Sequence, residues 1–460
     1  MTTGITRELL QKYDRPGPRY TSYPTAVEFH EGFAAAQYVA RLQAANAARS
    51  EPLSLYIHIP FCEERCSFCG CHVIITKQRG RAEEYLDYLH REIDLLAAAL
   101  PDRRRLVQYH WGGGTPTYID SGQMIALMSK VREHFTIERD AEVAIEIDPR
   151  VTSREQIDTL LELGFNRLSM GVQDFTPEVQ AAINRNQDER ETRDLYDYCR
   201  KAGFTSINLD LIYGLPLQTP ATFRLNLDSV LTMRPDRVAC YSYAHVPWIR
   251  GHQKGIAIES LPAPEIKLEL FAEAIDRFRA AGYRQIGMDH FALPEDELSR
   301  AADGGILHRN FMGYTTKPAS DMVGVGVSAI GDVCGAFAQN EKKLSTYYAE
   351  IDAGRFPIFR GFELSPDDLI RRHVITQLMC NFLLRKTEVE GRFGIDFGRY
   401  FARELDELAA GPASVGFLTL GEQELQVSPL GHLFIRNICM VFDAYLRREQ
   451  DEKPVFSRTV

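Results

Sequence analysis

The 460-residue sequence has no stretch approaching 18 uninterrupted apolar residues, which leaves no candidate membrane-spanning helix. Its first twenty residues carry charges and proline but no apolar run of the kind an export signal needs, so a cytoplasmic protein is expected. A basic excess is also missing: 53 Lys and Arg stand against 63 Asp and Glu, a net charge of −10, which argues against a global footprint for DNA or RNA. Cysteines number nine, and an odd count without a leader speaks against a disulfide framework. Solenoid repeats and low-complexity tracts are lacking too. The 45% hydrophobic and 25% charged fractions are those of an ordinary soluble globular protein. The length allows up to about three domains, or one large barrel with an appendage.

Between residues 53 and 292, short β-rich runs alternate with amphipathic helical stretches. Candidate strands are 53–59, 106–111, 142–147, 167–173, 206–213, 237–243 and 284–288, several of them continuous apolar runs suited to a parallel sheet covered by helices. Leu86, Leu89, Ile93 and Leu96 mark one face of a helix over 82–100. Ser153 with Gln156 forms a capping box for another helix that stops at Gly164, and Gly203 and Gly282 end two more. The fold class is therefore α/β, a partial or complete (β/α) barrel over 51–362, with its chemistry on the loops that follow the strands. Residues 1–50 form an irregular, Pro-containing extension expected to cover the active site. Residues 363–460 read as a mainly helical, winged-helix-like domain with a β segment at 416–427 and a final helix at 433–447. That tail is slightly acidic, which favours a covering or docking role over DNA binding.

Four of the nine cysteines, Cys62, Cys66, Cys69 and Cys71, crowd into one ten-residue window directly after the first strand. The first three are spaced C-x3-C-x2-C. Three thiolates on one loop can hold three irons of a four-iron cluster and leave the fourth open to a small molecule. A zinc site using all four cysteines is the bland alternative, although such sites usually draw on two separated pairs. Cys71 is either a structural thiol or a group on the substrate side. After the second strand comes Trp111-Gly112-Gly113-Gly114-Thr115-Pro116-Thr117, whose glycines let backbone approach a ligand. Glu146 alternates with Ile145 and Ile147, so it should face the barrel interior, where a carboxylate needs a polar partner. Gln173, Arg185 and Asp210 are similar polar insertions.

The cysteine loop, with Phe68 in the aromatic place before Cys69, resembles the signature of the radical S-adenosylmethionine (SAM) superfamily. That resemblance implies that Cys62, Cys66 and Cys69 bind a [4Fe–4S] cluster, that SAM chelates the open iron, and that one electron cleaves it to a 5′-deoxyadenosyl radical. Nearly end to end, the chain further resembles the oxygen-independent coproporphyrinogen III oxidases. The segments that carry this include Arg19-Tyr20-Thr21-Ser22-Tyr23-Pro24-Thr25, Tyr56-Ile57-His58-Ile59-Pro60-Phe61-Cys62, Gly287-Met288-Asp289-His290-Phe291-Ala292 and Arg436-Asn437-Ile438-Cys439-Met440. The resemblance implies decarboxylation of the ring A and ring B propionates to vinyl groups, with a second SAM beside the first. Tyr56, Gly113, Glu146 and Ile330 would contact the iron-bound SAM, and Phe68, Gly114, Thr115, Gln173, Arg185, Asp210 and Ala244 the second. Cys71 and Tyr56 are the candidate catalytic residues, and Arg19 and Arg309 are candidates for the substrate carboxylates. Implied partners are coproporphyrinogen III and an electron donor such as a flavodoxin-type protein, with no nucleic acid and no membrane, and the protein is expected to be a monomer. Two other readings stay open: a haem-binding trafficking protein on the same barrel, and a radical SAM methyltransferase or cyclopropanase.

Overall fold

The structure, a computed structural model, describes residues 7–447 and 456–459. Twelve strands form one sheet. In chain order they are β1 (Leu53–Ile59), β2 (Arg105–Gly113), β3 (Thr136–Ile147), β4 (Arg167–Gln173), β5 (Ser206–Tyr213), β6 (Arg237–Ser242), β7 (Arg284–Ile286), β8 (His290–Ala292), β9 (Asp321–Val325), β10 (Ile330–Val333), β11 (Ala336–Asn340) and β12 (Ile358–Glu363). Their spatial order is β12-β11-β10-β9-β1-β2-β3-β4-β5-β6-β8-β7, so the sheet is an open, partial barrel with edges at β12 and β7. Strands β9 and β1 to β6 run parallel. Their apolar residues, such as Leu55, Ile57, Ile145 and Leu209, are fully buried because helices cover the sheet.

The helices form where the sequence signals them. Helix Gly80–Ala99 buries Leu86, Leu89, Ile93 and Leu96. At Arg154–Glu162 the Ser153 hydroxyl accepts from the Gln156 amide at 3.2 Å, and the Gln156 side chain accepts from the Ser153 amide at 2.9 Å.

Two sequence expectations are corrected. The run 284–288 is not a further parallel strand: it forms β7 and then turns, so that β8 pairs antiparallel with both β7 and β6. The turn falls at Gly287, whose φ is +53° and where a Cβ would lie 2.1 Å from the Tyr314 hydroxyl. Apolar periodicity marks a strand without stating its direction. The expected final helix over 433–447 is broken into a 3-10 turn (Gly431–Phe434), a helix (Ile435–Val441) and a second 3-10 turn (Tyr445–Arg447). The Asp443 carboxylate accepts from the Tyr445 and Leu446 amides and from the Tyr20 hydroxyl, so local capping competes with helix continuation.

Residues beyond 366 carry helix Pro366–Asn381 and a small sheet of Leu383–Arg385, Glu424–Val427 and Leu418–Leu420. This region has its own core, which Tyr13, Tyr20 and Tyr23 of the N-terminal segment enter. Among the described residues no helix is long and apolar enough to cross a membrane.

Candidate functional site

At the C-terminal ends of the parallel strands the loops enclose a cavity of about 520 Å³. Strand β1 runs into Pro60 and the cysteine loop, whose base is closed by a short parallel pairing of Phe61–Cys62 with Ile74–Ile75. The loop is tied to the segment after β4: the Ser67 amide donates to Ile183 O at 2.8 Å, and the Asn184 side chain donates to Arg65 O at 2.9 Å.

The glycine run leaves β2 directly beneath this loop. Gly114 N–H donates to Ile59 O and Thr115 N–H to Phe61 O, both at 2.8 Å. A Cβ at Gly114 would lie 2.7 Å from the backbone of Pro60 and Phe61, so only glycine permits the two loops to pack this closely. Gly113, at φ +124°, turns its N–H toward Glu146 Oε2 at 3.3 Å.

Cys62, Cys66, Cys69 and Cys71 all line the cavity, together with Phe68, Gly113, Gly114, Thr115, Glu146, Gln173, Arg185 and Asp210. Three expected residues are not on its wall. Tyr56 is half-buried behind Gly112, its ring 3.0 Å from where a Cβ on that glycine would sit, and its hydroxyl is 3.0 Å from His58 Nδ1. Ile330 lies beside Gly324, the β9 residue paired with Tyr56 of β1, and is separated from the cavity by that strand pair. Ala244 sits on the loop after β6, and its carbonyl and that of Phe68 accept from one side-chain amide, Gln253. Of the two arginines considered for the substrate, Arg19 donates to Ser242 O and Arg309 to Arg19 O.

Polar and cationic donors reach the thiols unevenly. Cys66 Sγ accepts from Arg185 Nη1 at 3.7 Å and Arg150 Nη2 at 3.8 Å. The Cys69 thiol, bonded by the Cys71 side chain and amide, is pulled down to about 6. Burial drives the Cys62 thiol the other way, up to about 11, although Thr115 Oγ1 stands 3.4 Å away. Metal binding would deprotonate it. Among the described residues no three His, Cys, Asp or Glu side chains converge on a single-ion position. A loop of three thiols, one of them met by two arginines and the others by a hydroxyl and a backbone amide, fits an iron–sulfur cluster.

Two carboxylates on the cavity floor are pushed in opposite directions. Burial alone would raise Glu146, but His110 Nε2 at 3.4 Å and the Gly113 amide hold it below the usual carboxylate range. Asp210 is raised to about 6 by burial and by the charge of Glu146, against hydrogen bonds from Ser169 and Asn208 at 2.9 and 2.8 Å. Gln173 adopts φ +67°, a left-handed conformation costly for a non-glycine residue and concentrated at functional sites.

The sequence reading missed Asp148, Arg150, Ser169 and Tyr241, which also line the cavity. Asp148 bridges the two arginines on Cys66: Arg185 at 3.0 Å and Arg150 at 2.7 Å hold it below its ordinary value despite burial. It lies two residues beyond Glu146 in the same strand phase, so alternation alone could have found it.

The Radical SAM superfamily profile matches residues 56–229, and the HemN C-terminal domain profile matches residues 364–434. The oxygen-independent coproporphyrinogen III oxidase of Salmonella typhimurium is 48% identical over 98% of this chain and 98% of its own length. The chain belongs to the oxygen-independent coproporphyrinogen III oxidase family. That of Synechocystis sp. is 43% identical over 100% of this chain and 99% of its own. The solved structure of coproporphyrinogen III oxidase (HemN) from Escherichia coli, described as a radical SAM enzyme, superposes with a TM-score of 0.89 at 47% identity, covering 93% of this chain and 97% of that one. Membership in this radical SAM family implies a [4Fe–4S] cluster and SAM.

Proposed function

We propose that this chain converts coproporphyrinogen III to protoporphyrinogen IX without dioxygen, turning the ring A and ring B propionates into vinyl groups in haem biosynthesis. The observation that carries this reading is that three cysteines, a glycine loop and two opposed carboxylates share one cavity, in a chain that aligns end to end with oxidases of that name. The propionate β-C–H bond is unactivated, and no side-chain base could remove a proton from it. When bound, the cluster and SAM would supply the hydrogen-abstracting 5′-deoxyadenosyl radical; each propionate then loses that hydrogen atom, CO2 and one further electron.

The protein's own contribution is positioning and exclusion of water. Cys62, Cys66 and Cys69 would hold the iron, with Arg150 and Arg185 offsetting the sulfur charge. Glu146, kept ionised by His110 and Gly113, offers an acceptor beside Tyr56, and Ile330 stands behind that side across the Tyr56–Gly324 pair. Phe68, Gly114, Thr115, Gln173, Arg185 and Asp210 form the wall where a second SAM would sit, with Ala244 behind it on the loop after β6. Cys71, also on the cavity wall, is a candidate hydrogen or proton donor to the substrate side.

Anaerobic reconstitution with iron and sulfide, followed by reductant, SAM and coproporphyrinogen III, tests the proposal by mass spectrometry of porphyrinogens and 5′-deoxyadenosine. Protoporphyrinogen IX is expected in the wild type, and loss of both products in Cys66→Ser. Deoxyadenosine without decarboxylated product would move the substrate assignment elsewhere, and tight haem binding with neither product would favour a trafficking role.

A further inference from the structure

The outer side of the cysteine loop is backed by the 3-10 turn Gly251–Gly255. His252 Nε2 lies 2.9 Å from Cys69 O, and the buried Gln253 amide donates to Phe68 O at 3.1 Å. Immediately before this turn the chain exposes two large apolar side chains in succession, Trp248 (49%) and Ile249 (54%), and the next turn exposes Ile258 (69%). Scattered apolar residues are normal on a surface, but here an aromatic and an aliphatic side chain are exposed in succession directly before the turn that backs the cysteine loop.

The charges around this patch run against the acidic average of the chain. Arg65, Arg250 and Lys254 have no carboxylate partner among the described residues. By contrast, the loop's own acids Glu63 and Glu64 are matched by Arg79 and Lys77. Arg65 stands on the cysteine loop itself and lines the cavity, and Arg250 directly precedes the turn that meets the carbonyls of Cys69 and Phe68. Glu259, on the Ile258 turn, is the exposed acid nearest in sequence.

We propose that Trp248, Ile249, Arg250 and Lys254 form the docking surface for an acidic one-electron donor protein of the flavodoxin type. The proposal deepens the functional reading above and rests on it, because the thiolate-held iron must receive one electron for each radical event. In that step one electron leaves the donor's reduced flavin and enters the iron, with no bond formed or broken. An apolar centre with an unpaired cationic rim is what an acidic partner with an exposed flavin edge would meet, and charge of this kind chiefly sets encounter rate and orientation. The turn joins this surface to the carbonyls of Phe68 and Cys69, so a docked donor sits one hydrogen-bonded layer from the cluster ligands.

The test uses the reconstituted full chain and a purified acidic bacterial flavodoxin. Binding of flavodoxin and formation of 5′-deoxyadenosine are measured for wild type, Arg250→Glu/Lys254→Glu and Trp248→Ala, with either reduced flavodoxin or photoreduced deazaflavin, a neutral small donor, as the electron source. The charge reversal is expected to weaken flavodoxin binding about tenfold or more at low salt, with 0.5 M salt narrowing the difference, as charge-steered association requires. The flavodoxin-driven rate should fall in step, while the deazaflavin-driven rate and the KM for coproporphyrinogen III stay within about twofold of wild type. Trp248→Ala should weaken binding without removing its salt dependence. Unchanged flavodoxin binding in the reversal variant overturns the proposal. So does a raised KM for the porphyrinogen in the deazaflavin arm, which would make the patch a guide for the tetracarboxylate substrate. Absence of product from the wild type with both donors would instead overturn the functional reading, and the binding arm would still decide the surface.

Discussion

Residue 210 shows how a shared cavity sets a single group. Asp210 and Glu146 face the same space, and because Glu146 has His110 and Gly113 as donors it keeps its charge, leaving Asp210 to absorb the repulsion and rise to about 6. An unfolded Asp titrates near 4, so the folded state holds this proton more tightly. The stabilising contribution of Asp210 is therefore complete below about pH 4 and lost as pH rises through about 6. Denaturant unfolding of wild type and Asp210→Asn across pH 4 to 7 should show that part of the slope flattened in the variant. Parallel curves would place the titration elsewhere. At this scale much of the site was legible. Alternation in Ile145-Glu146-Ile147 pointed Glu146 inward, and the crowding of Cys62, Cys66 and Cys69 required no fold to notice. Tyr56, Ile330 and Ala244 came from family resemblance, and all three stand behind the wall rather than on it. Nothing in local periodicity says which side of a buried strand pair a cavity will open on.

At the scale of elements, the turn Gly251–Gly255 had no signal in the sequence, yet it fastens the cysteine loop. Gln253 donates to Phe68 O and Ala244 O and accepts from the Val246 amide at 2.6 Å. Replacing it with alanine leaves buried groups without partners, at about 1–3 kcal/mol in denaturant unfolding. Amides of residues 67–71 should exchange faster in Gln253→Ala by hydrogen exchange, with core amides of β1 and β2 shifted only by the global loss; unchanged loop exchange would mean the turn merely lies against the loop. The β7–β8 hairpin makes the complementary point. Its apolar residues were recognisable, but its direction depended on Gly287 meeting Tyr314, 27 residues away in sequence.

For the whole molecule, a buried cation helps tie segment 13–18 to segment 456–459, beside the Arg458–Asp14 pair and the backbone bonds of Gly17 to Ser457 O and Thr459 to Arg15 O. Arg436, on the C-terminal helix, donates to Pro18 O at 2.9 Å, to Gly17 O and to Arg458 O at 2.9 Å, while Asn437 donates to Tyr13 O at 2.7 Å. Burial pulls the guanidinium down to about 9, so it is costly to place there and held by the carbonyls it satisfies. Arg436→Ala should cost about 3 kcal/mol and expose the segment 14–19 to limited proteolysis, since charged hydrogen bonds to that segment are lost. Protease resistance equal to wild type would show that the tyrosines Tyr13, Tyr20 and Tyr23, buried in the second core, suffice to hold it.

The sequence by itself determined the α/β class, the strands β1 to β6, the cysteine triad and the glycine loop. Each of these is written in local spacing: two-residue alternation, three- and four-residue helical repeats, and ligands within one loop. Tertiary structure alone decided the open edges of the barrel and the strands β9 to β12 beyond it. It also decided the antiparallel turn at β8, the pairing of Arg185 with Asp148, and the joining of segment 13–18 to the C-terminal region by Arg436. Those features rest on contacts between residues far apart in sequence, and a pattern within one segment carries no information about which distant segment will complete it.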